Sequence, residues 1–342
     1  MATITVTIND EKKSIAVEQG KSLYDILISQ NIYLPSACGS TGKCGMCKCV
    51  VKDSPTPLTA HEQRLLTDRD MAQGYRLACQ FVPETDCSIE IPPGYLGARE
   101  YAATLVSKKV LTRDIVELTL ELADQESIAF KAGQYIILKK PALNDSPATM
   151  RPFSIASSGS DRLIQLNIRL NPQGVVTPWV FNLLEEGMRV DFNGPRGNFF
   201  LRNTEAPILF IAGGSGMAPV RSILYAMKQY GIKRKAVYFF GALTQADLYY
   251  LDEMRAFEKE LFDFRFVPAL SNEPAQSSWC GPCGLVTEVI DREYADNLAG
   301  YEVYLCGRPA MIQACIPLLE SKGIDRSEMF FDLFNSPKPA AK

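Results

Sequence analysis

A chain of 342 residues is too long for one average core and predicts two or three domains. Its 36 Lys and Arg against 39 Asp and Glu leave a formal charge of −3, which argues against a general nucleic-acid binder. One histidine, His61, leaves little material for imidazole metal sites or catalytic triads. No run reaches the roughly 18–20 unbroken apolar residues of a membrane span, since the best, "APILFIAGGSGMAPV", is interrupted by glycines. The start, "MATITVTIND", alternates like a strand and does not read as a secretory leader. The expectation is a cytoplasmic protein with no membrane span of its own, in which ten cysteines favour metal binding over disulfides.

In chain order, "TITVTIN" and "KSIAV" alternate across a polar turn and predict a β-hairpin over 2–8 and 13–17. "SLYDILISQN" has apolar residues at helical spacing. The Gly-rich loop "SACGSTGKCGMCKCV" then gathers Cys38, Cys44 and Cys47, and Cys79 follows in "RLACQF". "LTAHEQRLL" predicts a short helix, with Thr59 and Glu62 at capping-box spacing. "CSIEIP" predicts a closing strand and "PPGYLGARE" a linker. From residue 100 to about 203, β-rich runs such as "QYIILKK" and "LIQLNIRL" are broken by Gly, Pro and Asn, which predicts an antiparallel barrel. From "PILFIA" onward, apolar strands alternate with helical stretches, as in an open α/β sheet. Three modules are predicted, at 1–94, 99–203 and 205–335.

The four cysteines Cys38, Cys44, Cys47 and Cys79 supply the thiolates a [2Fe-2S] cluster needs, and the glycines let backbone amides turn toward sulfur. The gaps between them are 5, 2 and 31 residues. Zinc is the competing metal, but its structural sites pair two compact C-x2-4-C knuckles and Cys79 has no near partner. Cys49 and Cys87 read as packed thiols. In "RPFSIAS", Arg151, Phe153 and Ser154 could supply a cation, a flat group and a hydrogen-bond partner to a flavin dinucleotide, though the same alternation suits any strand. In "PILFIAGGSGMAPVRSILYAM", Gly213, Gly214, Ser215 and Gly216 form a glycine turn between strand and helix, where unpaired amides can meet a phosphate.

These stretches resemble a known family. Residues 1–92 look like the ferredoxin domain fused to flavin reductases, with cysteine spacing close to that of the NADH-oxidising subunit of sodium-translocating NADH:quinone reductases. The remainder resembles the ferredoxin–NAD(P)H reductase family: "RPFSIAS" matches its R-x-Y-S, with Phe153 in place of Tyr, and "GGSGMAP" matches its nicotinamide-site motif. "NPQGVVTPWV" resembles its G-x-x-S/T element, in which Gly174, Val175, Val176 and Thr177 open a helix facing the pyrophosphate. "LCGRP" resembles its C-G-x-P, with Cys306 near the nicotinamide, followed by Gly307, Arg308 and Pro309, Arg308 standing where Pro is common. "FFDLF" resembles its C-terminal aromatic segment, with Phe334 over the flavin and Asp332 a nearby acid.

The resemblance implies a β-grasp ferredoxin domain, an antiparallel β-barrel flavin domain and a parallel-sheet α/β nucleotide domain. It implies FAD, NADH and a [2Fe-2S] cluster held by Cys38, Cys44, Cys47 and Cys79, with Ser154, Cys306 and Phe334 at the reacting rings. Leu243 and Asn272 stand where a 2′-phosphate would call for Arg, which favours NADH over NADPH. The expected partner is an electron-acceptor protein, an oxygenase or other metalloenzyme, with a membrane quinone reductase complex as the alternative. The letters "WCGPC", Trp279 to Cys283, spell a dithiol motif. They fall in a variable turn of the reductase pattern W-x-G-x-x-G-x-V, so a thiol-based redox module is the rival of another class.

Overall fold

The computed structural model describes residues 3–8, 11–17, 20–30, 32, 34, 42, 45, 47–91, 98–123, 127–143, 146–158, 162–294 and 297–334. Cys38, Cys44 and most of the predicted linker lie outside them. The chain divides into two compact units, one built mainly on residues 1–99 and the other on 100–195 with 199–334.

The first unit contains β1 (Thr3–Ile8), β2 (Glu11–Ala16), α1 (Leu23–Ser29) and β3 (Lys48–Lys52), then α2 (Ala60–Leu65), α3 (Asp68–Ala72), β4 (Tyr75–Leu77) and β5 (Cys87–Glu90). The alternating hairpin forms as expected, with Ile4 opposite Ile15, and β5 then adds to β1 in parallel. The sheet order is β2-β1-β5-β3-β4. Period-two patterning sends Ile4 and Val6 into a core shared with Leu23, Ile26 and Leu27 of α1. The predicted capping box forms at Thr59 and Glu62, but Glu62 does more than cap. It is completely buried. Its carboxylate accepts from Arg76 Nε at 2.8 Å, Arg76 Nη2 at 3.0 Å, the Thr59 amide at 2.8 Å and the Leu77 amide at 3.0 Å. Arg76 also donates to the carbonyls of Thr56 and Pro57. The pair thus pins α2 to β4, two residues before Cys79.

The second unit begins with β6 (Arg99–Thr112), β7 (Ile115–Leu122), β8 (Tyr135–Lys140), β9 (Thr149–Ser154), β10 (Leu163–Arg169), α4 (Val176–Asn182) and β11 (Arg189–Arg196). The sheet order is β10-β7-β6-β11-β8-β9. Its two outer strands are joined by an Ile155–Leu166 bridge and by the Ala156 amide donating to the Gln165 carbonyl at 2.7 Å. The sheet therefore closes into the expected barrel. Leu118, Leu120, Ile164 and Leu166 fill it, together with Trp179 and Val180 of α4.

The same unit continues with β12 (Ile208–Gly213), α5 (Met217–Gln229), β13 (Lys235–Ala242), α6 (Leu251–Glu260), β14 (Asp263–Leu270), α7 (Val286–Glu293), β15 (Glu302–Gly307), α8 (Pro309–Ser321) and β16 (Met329–Leu333). These strands form a parallel sheet in the order β14-β13-β12-β15-β16. β12 is covered on both sides, which explains its unbroken apolar run. Ile208, Phe210 and Ala212 meet α5 and α6, whereas Leu209 and Ile211 meet α7 and α8. The chain leaves β12 toward β13 and later returns on its other side as β15. A crevice is thereby left at the carboxyl ends of these two strands.

Burial alone would raise the Glu62 carboxyl, but the Arg76 fork and two amides outweigh it and hold it below the ordinary 4.5. Its stabilising contribution is present above that value and is lost as acid protonates it in the fold. Glu62→Ala, which strands Arg76 in the interior, is expected to destabilise the first unit by about 3–5 kcal/mol. A wild-type denaturant midpoint would contradict this.

Candidate functional site

In the first unit, Cys47 and Cys79 sit at neighbouring ends of β3 and β4. The Ala78 amide donates to the Cys47 carbonyl at 2.9 Å. Both cysteines are buried. Gln80 Nε2 lies 3.6 Å from Cys79 Sγ, a donor aimed at sulfur. Gly42 and Gly45 adopt φ of 70° and 67°, and a Cβ at Gly42 would stand 2.6 Å from the Gln80 side chain. At both positions the backbone takes a conformation that glycine allows most comfortably. The neighbouring thiols of Cys47 and Cys79, with the Gln80 donor beside one of them, fit an iron–sulfur cluster. Cys49 and Cys87 pack in the same core, and burial pushes both thiols up.

In the second unit, the switch point brings together residues that are far apart in sequence. Gly213 ends β12 and Gly214 turns through φ 58°. A Cβ at Gly216 would fall 2.4 Å from the Cys306 carbonyl oxygen, so the turn can lie against the end of β15 only as glycine. Cys306 pairs with Ala212 on one side and with Asp332 on the other. Asp332 Oδ2 in turn accepts from Ser154 Oγ of the barrel at 3.3 Å. Ser154, Asp332 and Cys306, separated by up to 178 residues, therefore meet at one place. All three are buried. Burial pushes the Asp332 carboxyl from its ordinary 3.8 up to about 6, against the pull of the Ser154 hydroxyl. Burial, with Asp332 adding to it, also pushes the Cys306 thiol up, so it is present as the thiol at neutral pH. Phe334 follows, its amide donating to the Gly307 carbonyl at 2.9 Å.

Beside this point lies a cavity of about 210 Å³ whose lining includes Gly213, Gly214, Arg308 and Met311 together with Leu243, Asp247 and Ser271. Asp114 and Arg169 line it as an ion pair at 2.6 Å, and the Gly214 turn passes within 2.9 Å of Arg169 at the position of a Cβ. Asp114 sits in a hairpin turn and Arg169 at a strand end, and neither position carries a motif. Arg308 is exposed and sets its charge into the cavity wall. Asn272 is not among the lining residues but donates its amide to the Leu243 carbonyl at 2.8 Å.

On the barrel, β9 carries Arg151, Phe153 and Ser154, with Phe153 packed against the barrel core. Helix α4 starts at Val176 after Val175, directly behind Gly174. Thr177 is not its cap. The hydroxyl of Thr177 accepts from the Asn171 amide at 2.9 Å and donates to the Asn171 carbonyl at 3.2 Å, closing the preceding loop. The first amides of α4 follow directly on that loop, a place that fits a pyrophosphate.

The WCGPC turn connects β14 to α7. Trp279 folds back over Gly281, and its Nε1 donates to the Pro282 carbonyl at 3.3 Å. Cys280 and Cys283 are exposed and bond only weakly to nearby carbonyls, at 3.5 and 3.8 Å.

Comparison with known proteins agrees with this arrangement. Residues 6–84 match the 2Fe-2S iron-sulfur cluster binding domain, 102–201 the oxidoreductase FAD-binding domain and 210–316 the oxidoreductase NAD-binding domain. A subunit of the Na(+)-translocating NADH-quinone reductase of Neisseria gonorrhoeae is 30% identical over 97% of this chain and 91% of its own length. Its counterpart in Pseudomonas paraeruginosa is 31% identical over the same shares. Among solved structures, the Amycolatopsis cytochrome P450 reductase GcoB matches with a TM-score of 0.75 at 28% identity, over 98% of this chain and 99% of its own. The ferredoxin reductase in carbazole 1,9a-dioxygenase matches at 0.71 and 26%, over 97% and 98%.

The raised Asp332 carboxyl has a defined pH consequence. Between about pH 4 and 6 the unfolded carboxyl ionises while the folded one stays protonated, so stability falls as pH rises through that window. Asp332→Asn is expected to stabilise the second unit at pH 8 by up to about 3 kcal/mol and by little at pH 4. Thermal unfolding at both pH values checks this, and a gain independent of pH would contradict it.

Proposed function

We propose that this chain, which belongs to the ferredoxin–NAD(P)H reductase superfamily with an N-terminal [2Fe-2S] ferredoxin domain, delivers electrons from NADH to a one-electron acceptor such as an oxygenase or another metalloenzyme. It is an NADH-dependent oxidoreductase with FAD and a [2Fe-2S] cluster. Bound together, these groups turn the two-electron hydride of NADH into single electrons. The meeting of Ser154, Asp332 and Cys306 beside the Gly213–Gly216 turn is the observation that most supports the hydride step at this place.

Each residue has a role in this reading. Cys38, Cys44, Cys47 and Cys79 ligate the cluster. Arg151 and the amides of Gly174, Val175, Val176 and Thr177 hold the FAD pyrophosphate, Phe153 supplies flat contact area and Ser154 a hydroxyl to the flavin. Gly213, Gly214, Ser215 and Gly216 receive NADH together with Gly307, Arg308 and Pro309. Cys306 would border the nicotinamide, and Phe334 would cover the nicotinamide-facing side of the flavin. Leu243 and Ser271 in the cavity lining support NADH, because neither carries the positive charge that a 2′-phosphate calls for. The domain limits are set at 1–94, 99–203 and 205–335.

The acceptor assignment leans on the full-length likeness to a cytochrome P450 reductase and a dioxygenase reductase. Among the described residues no helix is long and apolar enough to cross a membrane. The reading places the protein in the cytoplasm. The 30–31% identity to components of NADH-quinone reductases favours a second reading, attachment to a membrane complex. Steady-state assays separate the two: the first expects cytochrome c to be reduced far faster than a water-soluble ubiquinone, and the reverse order would favour the second.

Two substitutions test the electron path. Cys79→Ser is expected to keep NADH–ferricyanide activity while losing cytochrome c reduction by about tenfold or more; equal loss of both activities would remove the cluster from the end of the path. Replacing Cys280 and Cys283 together by Ala is expected to leave NADH oxidation within about twofold of wild type, in line with surface positions away from special features. Abolished activity would favour the dithiol rival instead.

A further inference from the structure

Arg221 is only 5% exposed, yet every one of its guanidinium nitrogens is engaged. Nε and Nη2 grip the Glu253 carboxylate of α6 at 2.5 and 3.0 Å. Nη1 crosses to the barrel, donating to the Ala156 carbonyl at 3.1 Å and to Gln165 Oε1 at 2.9 Å. Glu117 of β7 lies 3.6 Å from Nη1, and the Tyr250 ring lies 4.4 Å beneath the guanidinium. Tyr250 itself takes a left-handed φ of 57° and reaches the barrel, donating to Glu117 with Asn167 3.0 Å from its hydroxyl. The next residue on α5, Ser222, donates to the Ser157 carbonyl at 2.6 Å and is fully buried.

The position of these bonds gives them their meaning. Helix α5 starts immediately after Gly216, so Arg221 stands little more than one turn from the glycine seat. Ala156 and Ser157 directly follow Ser154 and Ile155 on the barrel. The path Ser154–Ala156···Arg221–Gly216 is therefore a short mechanical link between the flavin strand and the nucleotide turn. A planar fork with several fixed donors can hold two elements at a set angle, which a point charge on a flexible stem cannot.

We infer that Arg221, with Ser222, is a positioning residue for hydride transfer: it sets the spacing between the barrel strand that carries Ser154 and the helix that opens at Gly216. It touches neither reactant. The inference rests on the hydride reading of this site. Displacement of about 1 Å between reacting groups costs on the order of 100-fold in rate. A change at the clamp should accordingly reach the chemical step while leaving NADH affinity alone.

The test is anaerobic stopped-flow reduction of the FAD-loaded full-length protein by NADH, comparing wild type, Arg221→Lys, Gln165→Met and Ser222→Ala. For Arg221→Lys, the expected result is a limiting rate of flavin reduction lower by roughly 10- to 100-fold, with NADH Kd within about twofold of wild type. The long-wavelength charge-transfer absorbance of the flavin–nicotinamide complex should weaken in parallel. Gln165→Met and Ser222→Ala should each give a smaller loss of the same kind, and either combined with Arg221→Lys should be non-additive. Should Arg221→Lys not fold, the two milder variants decide. Wild-type rate and charge-transfer absorbance in the folded variants would overturn the inference, as would an NADH Kd that weakens in step with the rate. If NADH fails to reduce the flavin of the wild-type protein, the hydride reading itself is what fails.

Discussion

The Cys306 carbonyl occupies the space that a side chain at position 216 would need, with only 2.4 Å between that oxygen and the place of a Cβ. This closeness lets the turn after β12 lie flat across the end of β15, and the rest of the second unit follows from it. β15 can pair with β12 along its length, and β16 with β15, which carries Asp332 to the level of Cys306. Because the barrel packs in the same unit, Ser154 then reaches Asp332. A residue larger than glycine would part the two strand ends and dissolve this convergence.

Buried ion pairs recur where the protein needs fixed geometry. Glu62 with Arg76 holds α2 to the strand leading into Cys79, and Arg221 with Glu253 joins α5 to α6 while reaching into the barrel. Arg234 with Glu302 ties the loop before β13 to the start of β15, at 2.8 Å and almost without exposure. In each case the arginine also donates to backbone carbonyls or to an amide oxygen. Such pairs contribute little net stability against an apolar replacement, but their directional bonds specify one arrangement.

The meeting point of Ser154, Asp332 and Cys306 is the opposite case, being polar and sparsely bonded. Asp332 has one hydroxyl partner in a buried setting, which leaves its carboxyl easy to protonate. The cavity beside it is lined by the exposed Arg308, by the Arg169–Asp114 pair and by Asp247, which Arg113 approaches at 3.5 Å.

Local patterns were enough to determine much of this from sequence. Alternation specified the hairpin of β1 and β2, apolar runs bounded by glycine specified the parallel strands, and Thr59 and Glu62 specified the start of α2, because each depends on neighbours within a few residues. The order of the motifs likewise identified the three cofactor-binding modules. The sequence could not show that Glu62 would serve Arg76 as well as its cap. It also could not show that Thr177 would close a loop instead of capping a helix, or that Arg169, Arg221 and Tyr250 would matter at all. Those roles depend on partners up to 133 residues away, including the Tyr250–Glu117 bond, and no spacing rule records them. Sequence alone determined which chemistry the chain carries, since residue type and local spacing define a donor set. Only the tertiary structure decided how Ser154, Asp332 and Cys306 come together and what holds their supports in place, since that depends on which strand ends the sheet topology makes neighbours.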